Sequence, residues 1–180
     1  MASALETISG QAYGAKQYNK LGTQTYTAIF SLILVCIPIS ILWTYIGKIL
    51  VFVGQSSEIS HEACKFSMYL IPMLFSYAVL QPLVRFFQAQ SSAMPMVVSS
   101  CAALCLHIPL CWVLVFKTRL HNLGAALSMG VSMWFNVIFL ALYMMFSPSC
   151  AQTRSPLSME IFRGIREFFR FAIPSSLMIW

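Results

Sequence analysis

The sequence predicts an all-α polytopic membrane protein, on three observations. Of its 180 residues, 59% are hydrophobic and only 9% are charged, where a soluble domain carries about 25% charged residues. The mean hydropathy is +0.77, an apolar excess that a soluble core cannot hide. The charges fall in gaps between apolar runs, and four of those runs reach the roughly 20 residues that cross a hydrocarbon layer.

Taken in order, residues 1–15 read as the end of a helix rich in small residues. The polar stretch Lys16 to Lys20 follows as a loop or helix end. The window 26–47 contains no charge and forms the first full span, with Pro38 inside it as an expected kink. Ile49 to Val53 is too short to cross. Gly54-Gln-Ser-Ser breaks it, and Glu58, His61 and Glu62 lie in an interfacial stretch. The next helix is expected to begin near Ser60, where Ser60-His-Glu-Ala offers a cap.

The second span is 66–84, interrupted by Pro72 and Pro82. Arg85 and the short polar turn 88–93 make the second and third spans antiparallel neighbours. The third span is 94–116, with a kink expected near Pro109. After the polar loop 117–122, the fourth span is 123–146. Its first half is small, with Gly124, Ala125, Ala126, Ser128, Gly130 and Ser132, which predicts a helix-packing face. Residues 1–146 therefore form one bundle of spans.

Residues 147–170 are the longest polar segment. Ile161, Phe162, Ile165, Phe168 and Phe169 alternate with charges at helical spacing, which predicts an amphipathic helix on a membrane face. Residues 171–180 open a further span containing Pro174. The N-terminus lacks a basic n-region, so targeting is expected to come from the spans themselves.

Because successive spans alternate in direction, the basic residues divide between two sides. One side holds Lys16, Lys20, Arg85, Arg154, Arg163, Arg166 and Arg170. The other holds Lys48, Lys65, Lys117 and Arg119. The positive-inside rule assigns the first side, and with it the linker 147–170, to the cytoplasm.

Composition also excludes function classes. The net charge of +6 is dispersed rather than clustered on a soluble face, so no nucleic-acid partner is expected. It suits loop charge and anionic head groups of the lipid bilayer. Six cysteines, Cys36, Cys64, Cys101, Cys105, Cys111 and Cys150, contain no CxxC pair. They predict neither a metal site nor a disulfide framework. Three scattered histidines supply no cluster for a membrane enzyme. No cofactor and no required protein partner is indicated.

The wording of several segments adds a resemblance. ALETISGQAYGA at 4–15, PLVRFFQAQS at 82–91, HIPLCWVLVF at 107–116, LGAALS at 123–128 with Trp134-Phe-Asn136, and FAIPSS at 171–176 occur in this order. Together they resemble the plant DETOXIFICATION branch of the multidrug and toxic compound extrusion (MATE) family, over nearly the whole chain. The resemblance implies a twelve-helix fold in two six-helix lobes. This chain would be a partial first lobe, from the end of helix two to the start of helix seven. It further implies export of organic cations, xenobiotics or plant secondary metabolites in exchange for protons, by alternating access. Vacuolar or plasma membrane is the implied location. The coupling carboxylates would lie chiefly in the second lobe.

Candidate substrate and proton pathway residues follow from the cost of polar groups in lipid. They are Glu6, Gln11, Gln81, Asn136 and His107. Structural hydrogen bonding is the competing role for each of these groups. Gly10, Gly14, Gly124 and Gly130 are candidate helix-packing glycines. Pro38, Pro72, Pro82 and Pro109 are candidate kinks. The four spans contain no Asp or Glu. The alternatives to an antiporter lobe are a passive channel subunit and a truncated, non-transporting membrane polypeptide. A channel would favour a filter-like loop or a ring of like charges, and the sequence displays neither.

Overall fold

A computed structural model describes residues 9–118, 122–147 and 165. Its described residues are helical apart from short turns. The first helix, α1, is described over 9–14. It is followed by α2 (Tyr18–Thr44), α3 (Ile46–Phe52), α4 (Ser57–Ala89), α5 (Ala93–Trp112), a π-helical turn (Val113–Lys117) and α6 (Asn122–Phe146). Among the described residues, four helical segments, with α5 and its π-turn taken as one, are long and apolar enough to cross a membrane. Glu6, most of the linker 147–170 and the opening of the span 171–180 lie outside the described residues.

The helix ends are set by local backbone chemistry. After α1, Lys16 takes φ 58°, and its N–H and that of Gln17 bond back to the carbonyls of Tyr13 and Ala12. After α3, Gly54 takes φ 98°, with Gly54 and Gln55 bonding back to Val51 and Leu50. After α4, Ser91 takes φ 54°, with Ser91 and Ser92 bonding back to Gln88 and Phe87. Each is a Schellman closure, which satisfies orphan carbonyls with one left-handed residue.

Two boundaries differ from the sequence-based expectation. The helix expected near Ser60 begins at Ser57. Glu58 occupies its first turn, where a carboxylate suits the positive end of the helix dipole. The Ser60 hydroxyl donates to the Ser56 carbonyl at 2.8 Å and is thus spent inside the helix instead of capping it. The run 26–47 does not end as one helix either. α2 stops at Thr44, and Gly47 belongs to α3. A Cβ on Gly47 would lie 2.9 Å from Cys64 Cβ and 3.1 Å from the Ser60 carbonyl. The chain turns there because α3 rests directly on α4.

α4 is the hub and packs against α2, α3, α5 and α6, while α5 packs chiefly on α6. With 33 residues at about 1.5 Å each, α4 is longer than a hydrocarbon core of about 30 Å is thick. The core lies toward its C-terminal end and joins Leu21, Leu83, Phe86, Phe87, Leu140 and Met144. There Phe87 meets the Phe86 ring at 5.4 Å and the Tyr143 ring at 5.8 Å, edge to face.

Several hydroxyls within the spans bond to carbonyls of their own helices. Thr25 and Ser31 donate to the carbonyls four residues back at 2.9 and 2.8 Å. Ser76 and Ser99 donate three residues back at 2.8 and 3.0 Å. This is how hydroxyls avoid standing unpaired in lipid. Outward faces carry large apolar side chains such as Phe30, Ile41, Leu104, Ile108 and Phe146. The four candidate-kink prolines all lie inside helices: Pro38 in α2, Pro72 and Pro82 in α4, Pro109 in α5.

Candidate functional site

The seam between α5 and α6 carries the polar arrangement that matters most. Ser128, Ser132 and Asn136 succeed one another at intervals of four along α6, so they share one helix face. His107 of α5 docks on that face. Its Nδ1 lies 3.1 Å from Ser132 Oγ and 3.4 Å from the Ser128 carbonyl. Ser132 Oγ in turn donates to the Ser128 carbonyl at 2.8 Å. Both serines are buried, at 6% and 0% exposure. The imidazole therefore joins two spans through a hydroxyl that has no water to turn to.

One turn further along α6, Asn136 Oδ1 is buried without a hydrogen-bond partner among the described residues. Gln24 Oε1 of α2 is in the same state. A buried amide oxygen left unpaired is costly in lipid, so each is an acceptor available to a donor from water or a ligand. Of the other predicted amides, Gln81 is partly buried in α4 and Gln11 is exposed on α1. The structure thus brings His107 onto the helix that carries Asn136.

The glycines separate into two kinds. Gly124, at the start of α6, lies against the π-turn. A Cβ there would come within 2.3 Å of the Leu114 carbonyl oxygen, an approach open only to glycine. A Cβ on Gly10, Gly14 or Gly130 would meet no described atom within 4 Å. Gly124 and Gly47 make close approaches, and the spacing of small residues did not single out Gly47.

The opposite end of the bundle from the aromatic core is open. A cleft of about 910 Å³ lies between the N-terminal ends of α4 and α6, lined by residues including Glu58, His61, Glu62, Phe66 and Asn122. The Lys65 ammonium holds Glu62 at 3.2 Å. The sequence alone places these acids in an interfacial stretch. Their convergence on a cleft depends on where α6 begins, and no local pattern announces it. No group of three or more metal-ligating side chains occurs among the described residues.

Beside known proteins, the chain matches the MatE family over residues 1–113. It is 62% identical to protein DETOXIFICATION 14 of Arabidopsis thaliana over 179 residues, covering 99% of this chain and 37% of that relative. It is 54% identical to protein DETOXIFICATION 11 of the same plant, with the same coverage. Among solved structures it superposes on the crystal structure of the eukaryotic MATE transporter AtDTX14 with a TM-score of 0.96 at 62% identity. That match covers 99% of this chain and 40% of the other. The chain thus spans well under half the length of the proteins it resembles.

Proposed function

The chain belongs to the MatE family of multidrug and toxic compound extrusion transporters, and on that premise we propose that it forms part of the first lobe of a proton-coupled antiporter. Members of this family are transporters and not enzymes, and the chain is a multi-pass integral membrane protein. Its cargo on this reading is organic cations, xenobiotics or plant secondary metabolites, carried by alternating access. The membrane is the vacuolar or the plasma membrane. The linker 147–170 lies on the cytoplasmic side.

The observation that best supports this reading is the superposition on a eukaryotic MATE transporter over almost the whole chain. The site agrees with it. Asn136 and Gln24 offer buried, unfilled acceptors, and His107 is an ionisable group held between two spans. Such groups in a bilayer commonly mark ion and substrate pathways. Gln81 and Gln11 are secondary candidates for the same pathway. Glu6 lies outside the described residues, and on this reading it is not the coupling group. Gly10 and Gly14 beside it would face a neighbouring helix.

The test is a chimera in which residues 1–180 replace the matching segment of DETOXIFICATION 14. Efflux of a cationic dye is then measured in membrane vesicles with an imposed pH gradient. The expected result is efflux that collapses when the gradient is dissipated. A correctly inserted chimera that moves no substrate would overturn the transporter reading. Flux indifferent to the gradient would favour the passive channel instead. In the same chimera, Glu6→Gln is expected to leave efflux and its pH profile unchanged.

A further inference from the structure

We infer that Ser132 is a positioning residue that fixes the tautomer of His107, placing the ring proton on Nδ1 and leaving Nε2 to take up and release a proton between α5 and α6. The inference deepens the proposed function, because it rests on reading His107 as a proton-pathway group.

Ser132 has one hydroxyl hydrogen, and its shorter bond, 2.8 Å to the Ser128 carbonyl, uses it. The oxygen then has lone pairs only to offer His107, so Nδ1 at 3.1 Å must be the donor. The Ser128 carbonyl cannot substitute as the main partner. It accepts the helical N–H from four residues on as well as the Ser132 hydroxyl, which fills its two lone pairs. Its 3.4 Å distance to Nδ1 is correspondingly longer. The Ser128 hydroxyl donates to the Ala125 carbonyl at 2.8 Å and is not among the partners of the ring.

The opposite tautomer would undo this arrangement. With the proton on Nε2, Nδ1 becomes an acceptor. Ser132 would have to turn its hydroxyl toward the ring and abandon the Ser128 carbonyl. With the proton on Nδ1, both bonds are kept. Uptake then balances simply. A proton from water bonds to the Nε2 lone pair and gives the imidazolium, while the Nδ1–H to Ser132 bond persists and gains charge assistance. Release of the Nε2 proton to water restores the starting state.

α5 and α6 contain no Asp, Glu, Lys or Arg. The thiols Cys101, Cys105 and Cys111 lie on α5, Tyr143 lies near the end of α6, and Lys117 ends the π-turn. α4 packs against both helices. Its charges stand toward its ends, with Glu58, His61, Glu62 and Lys65 at one and Arg85 at the other. Cys64, Tyr69 and Tyr77 lie along it. No carboxylate on the two helices that hold the ring can neutralise an imidazolium.

The experiment is nitrogen-15 NMR of the full 180-residue chain in lipid nanodiscs with labelled histidine. There are three histidines, and His107→Gln identifies the signals of the third spin system by their loss. As the pH is raised until the ring is neutral, Nδ1 is expected to keep a protonated, pyrrole-type shift and Nε2 to move to a pyridine-type shift. In Ser132→Ala the preference should be lost, and Ser132→Thr should restore it. A neutral wild-type ring with its proton on Nε2 would overturn the assignment without recourse to any variant. So would a Ser132→Ala spectrum matching the wild type. Unchanged pH dependence of efflux in a His107→Gln chimera, with the tautomer results as expected, would instead overturn the pathway reading alone.

Discussion

Trp134 donates its indole N–H to the backbone carbonyl of Pro72 at 3.1 Å, joining α6 to the middle of α4. A buried or half-buried indole usually finds such a partner. In Trp134→Phe the ring's packing is largely kept and the bond is lost. Stability of the chain in lipid should fall by about 1 kcal/mol, read as a lower thermal midpoint. An unchanged midpoint would mean that packing alone holds these helices together.

Gly124 and Gly130 lie on the same helix but should respond differently to the same change. Gly124→Ala forces a methyl group into the Leu114 carbonyl. Overpacking of that kind costs about 1–3 kcal/mol, and here it should displace the π-turn. Gly130→Ala meets no described atom and should be neutral or slightly stabilising through helix propensity. Paired thermal melts of the two variants in nanodiscs test this. Equal effects would contradict the difference in their surroundings.

Ser91 closes α4 in the left-handed region with φ 54°, where a side chain costs about 1–2 kcal/mol. Glycine removes that strain but loses about 0.5–1 kcal/mol through greater freedom when unfolded. Ser91→Gly should therefore stabilise the chain by about 0.5–1 kcal/mol. Gly54, at φ 98°, should behave oppositely, with Gly54→Ala destabilising by at least about 1 kcal/mol. Equilibrium unfolding in a mixed-detergent series gives both signs.

The fold class was legible because long uncharged runs admit few alternatives to membrane spans. α5 and α6 are clear cases, since neither contains a charge between Ala93 and Trp112 or between Asn122 and Phe146. Helix starts were less legible. Ser56, Ser57 and Ser60 all offer capping chemistry, and tertiary packing of Gly47 on Cys64 helps decide where the chain turns. The site was half visible. The spacing of Ser128, Ser132 and Asn136 already places them on one face, and His107 stands out as an ionisable group within a span. Their meeting joins residues 25 apart in sequence, and that depends on helix register. The Gly124 contact with Leu114 is of the same kind. A glycine pattern shows where close approach is possible, not what approaches.

On the proposed reading this chain is part of the first lobe of a coupled exporter, and its apolar runs 26–47, 66–84, 94–116 and 123–146 hold no carboxylate for coupling. The most direct measurement is proton-driven substrate flux from liposomes containing only the 180-residue chain, compared with empty liposomes. The account predicts no coupled flux above the empty control. Flux that rises with the imposed pH gradient would contradict it, since it would place the complete coupling machinery within these residues.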